Sequence, residues 1–142
     1  MAVKVYYQKE GFRLRESRAL KNWILNIVVN EGYGYDVITY VFTDDRMILQ
    51  LNREFLEHDY LTDVITFDMS EEAGTVKAEI YISVDTVKRN AKHLGADFRS
   101  EMARVMAHGI LHLTGYDDSD DLSSGMMRER EEYYLKRYFD EA

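Results

Sequence analysis

The sequence has no cysteine, no proline and no long apolar run among its 142 residues. Without cysteine it can form no disulfide, no thiolate metal site and no cysteine nucleophile. Its apolar stretches fall far short of the roughly 20 residues that a membrane-spanning helix needs. The first residues, MAVKVYYQKEGFRLRE, lack the apolar core and the cleavage site of a secretory signal. We therefore expect a soluble, cytoplasmic protein with no membrane partner.

Positive charge is also scarce, since 18 Lys and Arg face 26 Asp and Glu and leave a formal net charge of -8. Taken alone, this argues against a nucleic-acid partner, because phosphate groups are bound by lysine and arginine. Net charge does not exclude a local basic groove. No linker, low-complexity segment or internal repeat divides the chain, and its length suits one domain. We predict a single domain over residues 1–142.

Hydrophobic periodicity predicts the element order βαβαββααα. Val76, Ala78, Ile80 and Ile82 alternate with polar residues, so this segment should form a hairpin with the strand before it. The predicted strands cover residues 3–7, 35–42, 62–69 and the segment from 76, and the predicted helices lie around 20–28, 47–55, 84–94, 98–114 and 122–139. This order predicts an α+β fold in which about five helices pack on a mixed four-stranded sheet.

The strongest chemical signal is HGILHLTGYDD, residues 108–118. His108 and His112 are four residues apart in a predicted helix, so their side chains share a face and can bind one metal ion. Gly115 permits a sharp turn, after which Asp118 can return as a third ligand. This is the spacing of a metzincin-type zinc site with Asp in place of the last His. Three protein ligands leave a position for water, as in catalytic zinc sites.

Two points in this segment stay open at the level of sequence. Buried imidazoles can be satisfied by hydrogen-bond partners other than a metal. Asp117, Asp120 and Asp121 are also near the histidines, although spacing favours Asp118 and the others suit an acidic loop or a helix N-cap.

Gly109 stands where a zinc peptidase of this type carries its general-base glutamate. The glycine indicates either close packing of the helix or room for a bulky substrate at the metal. In both cases the usual peptidase base is missing.

Three segments together resemble the YbeY family of bacterial endoribonucleases. The family signature, close to HGxLHLxGYDH, stands here as HGILHLTGYDD. A second family segment, close to LNxxYRxKDxxTDVLSF, stands as LNREFLEHDYLTDVITF at 51–67. A third, the MRxxE pattern, matches residues 127–131. Two departures matter. Asp118 replaces the family's usual third histidine ligand, and Leu56 stands where the family usually has an arginine thought to act at the active site. Residues 78–80 are AEI where GDI is usual.

The resemblance implies a single-strand-specific metallo-endoribonuclease that matures the 3′ end of small-subunit ribosomal RNA and acts in ribosome quality control. Its partners would be ribosomal RNA and the small ribosomal subunit. The cofactor would be one zinc ion per chain, or another divalent metal, held by His108, His112 and Asp118. Because the family arginine is absent, no catalytic side chain is assigned, and the nucleophile we expect is a metal-bound water; attack by an RNA 2′-hydroxyl stays open.

We expect the RNA to bind a basic groove beside the metal, with Lys77, Arg89 and Arg104 as the predicted contacts and Lys88 and Lys92 as neighbours. The alternative to a nuclease is a non-catalytic, ribosome-associated metal-binding factor, which Leu56 and the negative charge favour. A metallopeptidase is a third possibility, against which Gly109 argues.

Overall fold

The computed structural model describes residues 2–140 and contains the predicted elements in the predicted order. The strands are β1 (Val3–Tyr7), β2 (Gly34–Thr43), β3 (Val64–Asp68) and β4 (Thr75–Ser83); the helices are α1 (Ser17–Asn30), α2 (Asp45–Phe55), α3 (Val84–Leu94), α4 (Phe98–Leu113) and α5 (Asp121–Asp140). The predicted α+β fold, with four strands and five helices, is confirmed. The predicted domain bounds include Met1, Glu141 and Ala142, which lie outside the described residues.

The sheet has the strand order β1-β2-β4-β3. Strands β1, β2 and β4 are parallel, whereas β3 runs antiparallel to β4 and forms the predicted hairpin with it. Gly74 closes this hairpin with φ 81°, a left-handed conformation that suits glycine. The strand order places β3 at one edge of the sheet, where it pairs with β4 alone.

One face of the sheet forms the core. Ile80 and Ile82 of β4, which the alternating pattern assigned to the buried face, are fully buried and lie in register with Tyr40 and Phe42 of β2. The Tyr40 hydroxyl donates a hydrogen bond of 2.8 Å to the carbonyl of Met106 in α4, so the helix is fixed to the sheet. Helices α1 and α4 cover this face, and α2 covers the other, where Phe55 contacts Phe67.

Gly109 brings the C-terminal half of α4 close to the sheet. A Cβ at this position would lie 3.1 Å from Ile80 Cγ2 and 3.1 Å from Thr66 Oγ1. Close helix packing therefore accounts for the glycine, and the position faces the sheet. The following turns of α4 consequently lie beside β3. None of the helices within residues 2–140 combines the length and the apolarity needed to cross a membrane.

Candidate metal centre

The turn after α4 brings Asp118 back to the two histidines. His108 and His112 project from the last turns of α4. Gly115 follows with φ 103°, and the Tyr116 amide donates to the carbonyl of Leu111 at 3.0 Å, which reverses the chain. Asp118 then lies against both imidazoles, as the spacing predicted.

The three side chains form a triangle of donor atoms. His108 Nε2 lies 3.0 Å from His112 Nε2 and 3.4 Å from an Asp118 carboxylate oxygen, which is 3.6 Å from His112 Nε2. Tetrahedral zinc with bonds of about 2.0–2.2 Å holds its ligand atoms about 3.4 Å apart. The donor set and its spacing therefore fit zinc or a similar divalent ion. No other group of three or more such side chains is this close among the residues described by the structure.

The neighbouring acids have other partners. Asp117 accepts hydrogen bonds from the amides of Asp118 and Ser119, and Asp120 accepts one from the amide of Ser123 at the start of α5. These contacts match the acidic loop and the helix N-cap that were the alternatives to a ligand role. Asp118 is the acid that the structure brings to the histidines.

A buried carboxylate, that of Glu131, lies behind His108. Glu131 of α5 is 2% exposed, and its carboxylate accepts a hydrogen bond of 2.6 Å from His108 Nδ1. Because an ionised carboxylate only accepts, Nδ1 carries the proton and Nε2 presents its lone pair to the triangle. Burial raises the pKa of Glu131, but the hydrogen bond from His108 and the charge and hydrogen bond of Arg104 outweigh burial and hold it below its ordinary value.

Arg104 is part of this support behind His108. Its guanidinium donates to Glu131 at 3.0 Å and to Glu101 through Nε at 3.0 Å, and Glu101 is itself buried. The sequence placed Arg104 among the cations of a groove because its buried partners, 3 and 27 residues away, could not be seen. For Glu131, the only signal in the sequence was its place in the MRxxE pattern.

A second set of hydrogen bonds holds the segment that carries Asp118. The Tyr116 hydroxyl donates to Glu31 at the end of α1, at 2.9 Å, and accepts from Arg130 Nε of α5, also at 2.9 Å. Tyr134 donates to the same Glu31, and burial is the main cause that raises the pKa of Tyr134 to about 12. Asp118 thus lies two residues after Tyr116, which is anchored to Glu31 after α1 and to Arg130 of α5.

A cleft of about 500 Å³ opens beside the triangle. Its walls are formed by β3 with the two residues before it, by the end of α4 and by the loop that follows α4. The lining residues are Thr62, Asp63, Val64, Thr66, Asp68, His108, His112, Leu113 and Asp118. The ionisable residues in this lining are three aspartates and two histidines, with no lysine or arginine. The cleft can admit a ligand but supplies no fixed cation of its own to a phosphate.

The cations predicted to contact RNA do not line this cleft. Lys77 pairs with Glu71 at 2.9 Å, and Arg89 pairs with Asp45 at 2.7 Å. Each is more than a third exposed, so these pairs leave the cations reachable at the surface. Arg104 approaches the metal triangle only through Glu131, and none of the three cations lines the cleft.

The position of the missing family arginine is also outside the cleft lining. Leu56 lies at the C-cap of α2 and is 41% exposed. Of the nearby basic residues, Arg53 pairs with Asp59, and His58 stacks on Tyr60 with ring centroids 5.0 Å apart. Neither side chain reaches the triangle in place of an arginine.

Comparison with known proteins connects this arrangement to a family. Residues 5–139 match the family described as "Endoribonuclease YbeY". The chain belongs to the YbeY family. Relatives of that description include one from Cytophaga hutchinsonii, 42% identical over 133 residues that cover 92% of this chain and 93% of the relative. Another, from Porphyromonas gingivalis, is 43% identical over 135 residues, covering 94% and 89%.

A solved structure shows the same YbeY-like fold. The solution structure of TM1509 from Thermotoga maritima matches with a TM-score of 0.71 and 32% sequence identity, and the match covers 98% of this chain and 90% of the other. The family resemblance noted from HGILHLTGYDD and the two further segments is therefore confirmed over most of the chain.

Proposed function

We propose that this chain is a cytoplasmic, metal-dependent endoribonuclease that cleaves single-stranded RNA and matures the 3′ end of small-subunit ribosomal RNA during ribosome quality control. The observation that carries the metal dependence is the triangle of His108, His112 and Asp118, whose spacing fits zinc, beside an open cleft. The substrate class rests on relatives described as endoribonucleases that are similar over nearly the whole chain.

The residues of this chain would hold the ion and its surroundings in place. His108 and His112 offer neutral Nε2 atoms, and Asp118 offers an anionic oxygen. Glu131 keeps His108 in the tautomer that a metal requires. When bound, a divalent ion supplies Lewis acidity, which polarises a phosphoryl oxygen, lowers the pKa of water and stabilises developing charge. The acidic lining of the cleft would tend to repel RNA phosphates, so ion binding and RNA binding should be coupled.

Cleavage of two matched substrates tests this proposal. Zinc-loaded protein should cut a single-stranded RNA and leave its perfect duplex intact, and His112→Ala should abolish the cutting. His93→Ala, which removes an exposed histidine of α3, is the control and should retain full activity. The chemistry of the new ends then separates the two routes: a 2′,3′-cyclic phosphate indicates attack by the 2′-hydroxyl. Cutting that is unchanged in His112→Ala would contradict the metal site.

A non-catalytic, ribosome-associated factor is the second candidate, favoured by Leu56 and by the absence of cations in the cleft. It predicts co-sedimentation with the small subunit that survives His108→Ala, and no RNA cleavage by wild type. Leu56→Arg and Asp118→His restore the family's usual residues. A large gain of cleavage in either variant would identify the chain as a weakened enzyme and exclude the purely structural factor.

A further inference from the structure

A second pocket, of about 310 Å³, lies at the end of α4 opposite to the histidines. The segment from Gly11 to Glu16, between β1 and α1, forms one wall. Phe98 and Met102 from the first turns of α4 form another. Arg99, at this pocket, precedes His108 by nine residues, which corresponds to about 14 Å of helix. This pocket is therefore separate from the metal cleft.

Its rim is cationic, in contrast to the cleft. Arg13, Arg15, Lys88 and Arg99 line the pocket together with a single carboxylate, that of Glu16. Arg99 pairs with Glu16 at 2.7 Å, whereas Arg15 and Lys88 form no ion pair with any side chain in residues 2–139. Unpaired positive charge is therefore concentrated at this rim, although the net charge of the whole chain is -8. Such a rim favours an anionic ligand.

The interior of the pocket is apolar and aromatic. Phe12 and Phe98 meet edge to face with centroids 6.2 Å apart, and Lys88 Nζ lies 5.9 Å from the centroid of the Phe98 ring. Flat apolar rings beside guanidinium and ammonium groups are the combination by which proteins bind single-stranded nucleic acid, since bases stack on the rings and phosphates meet the cations. The lining therefore suits a nucleotide better than a purely polar anion.

The wall of the pocket is fixed by contacts of its own. The Leu14 amide donates to the Tyr7 hydroxyl at 3.2 Å, and the Arg13 guanidinium lies 4.5 Å from the centroid of the Tyr7 ring. Glu16 is held by Arg99 and by the Tyr138 hydroxyl, which donates to it at 3.2 Å. A pocket held in this way needs little rearrangement to accept a ligand.

We propose that this pocket anchors one nucleotide of single-stranded RNA at a distance from the cleavage site, with the base against Phe12 and Phe98 and the phosphate between Arg15 and Lys88. The assignment of RNA as the ligand rests on the proposed function. It resolves the difficulty that the cleft beside the metal triangle has no cation: the enzyme holds its substrate at the cationic pocket and cuts it at the acidic cleft. An RNA must then be long enough to span both.

Binding without catalysis tests the pocket. The protein is His112→Ala, kept free of metal, and the ligand is a fluorescently labelled, unstructured single-stranded RNA. We expect Arg15→Glu with Lys88→Glu to weaken binding by at least about tenfold and to reduce the dependence of affinity on salt by about one to two released counterions. The matched control, Arg46→Glu with Lys136→Glu, makes the same change in net charge at exposed cations outside the pocket and should bind nearly as well as the parent.

Equal loss in the pocket variant and in the control would show that only net charge matters and would overturn the proposal. Competition by polyglutamate as effective as that by unlabelled RNA would overturn the nucleotide assignment in favour of an acidic polypeptide. The outcomes separate this proposal from the proposed function. Pocket-dependent RNA binding with no cleavage by zinc-loaded wild type supports the pocket and refutes the nuclease; cleavage whose KM is unaffected by the pocket variant refutes the pocket alone.

Discussion

At the scale of single residues, the orientation of His108 depends on Glu131. The carboxylate is buried and accepts from Nδ1 at 2.6 Å, with Arg104 behind it. In Glu131→Gln the side chain keeps its shape but loses the charge that favours the Nδ1–H tautomer. We expect zinc affinity to fall by about 10- to 100-fold, the usual cost of removing such a partner. Competition for zinc with a coloured chelator measures the affinity of each protein.

The control for this change is Glu132→Gln, which alters the adjacent, exposed carboxylate of the same helix. It should leave zinc affinity unchanged. If both variants bind zinc as wild type does, the Glu131 contact does not support the metal site, and the role of Glu131 is confined to its ion pair with Arg104.

Two glycines of helices should respond to alanine in opposite directions. Alanine favours a helix interior over glycine by about 1 kcal/mol. At Gly125 in α5 the added methyl group meets nothing within 4 Å, so Gly125→Ala should raise the free energy of unfolding by about 0.5–1 kcal/mol. At Gly109 it meets Ile80 and Thr66 at 3.1 Å, so Gly109→Ala should lower it by about 1–3 kcal/mol. Urea unfolding of both variants measures the two changes in the free energy of unfolding. If Gly109→Ala were more stable than wild type, close packing at Gly109 would be refuted.

The sequence made the clustering of His108, His112 and Asp118 predictable because their relation is local. His108 and His112 are one helical turn apart, and Gly115 and Asp118 follow within a single turn of chain. Glu31 and Glu131, which hold Tyr116 and His108, lie 85 and 23 residues away from them. Such contacts depend on how helices pack, and no periodicity in the chain reports them.

At the scale of elements, Asp45 joins α2 to α3 and to the end of β4. Its carboxylate accepts hydrogen bonds of 2.7 Å from Ser83, Thr86 and Arg89. Burial raises the pKa of Asp45, but the donors led by Arg89 outweigh burial and hold it below its ordinary value. Since the folded state favours the ionised form, this stabilisation is complete above the unfolded pKa, about 3.9, and is lost as pH falls through the folded pKa.

Asp45→Asn should therefore destabilise the fold in a pH-dependent manner. Near pH 7 we expect a loss of about 1–3 kcal/mol, as for hydrogen bonds to a charged group. The difference from wild type should shrink as pH falls below about 4. Urea unfolding at a series of pH values measures both curves, and Asp36→Asn, at an exposed position of β2, is the control. A difference that is constant with pH would contradict the assigned role of the charge.

The order and type of the elements were predictable, but their arrangement in the sheet was only partly so. Alternation in residues 76–83 identified the buried face of β4 and its hairpin with β3. The placement of β4 between β2 and β3 follows from parallel pairing across α2, over some 40 residues. Strand β3 is shorter than predicted at both ends because regular pairing covers only Val64 to Asp68. Single hydrogen bonds continue beyond it, from the Ser83 amide to the Asp63 carbonyl at 2.9 Å and from the Met69 amide to the Lys77 carbonyl at 2.8 Å.

At the scale of the whole molecule, net charge conceals an uneven distribution. The cleft at one end of α4 is lined by aspartates and the pocket at the other by arginines and a lysine. The prediction of a basic groove beside the metal rested on the positions of lysines and arginines in the sequence. Whether such a cation can bind a phosphate also depends on the carboxylates that it pairs with in the fold. Arg104 is taken up by two buried carboxylates, whereas Lys88 has none among the described side chains.

The triangle of His108, His112 and Asp118 also links α4 to the segment before α5, which are otherwise joined by a turn. Its three side chains come from α4 and from the segment before α5, and Glu131 connects His108 to α5 itself. An ion that binds only the folded state should therefore stabilise the whole domain, by about 2.7 kcal/mol when its free concentration is 100 times its Kd. For a chain of this size we expect the Tm to rise by about 10 °C.

Thermal unfolding with and without zinc measures this stabilisation, and EDTA should reverse it. His93→Ala should show the full rise, because that histidine lies on α3, outside the triangle. His112→Ala should show little or none, since two remaining ligands bind zinc far more weakly. The comparison makes no use of activity, so it tests the metal site even if the chain cleaves no RNA. An equal rise in His112→Ala would place the stabilising zinc elsewhere and refute the triangle as its site.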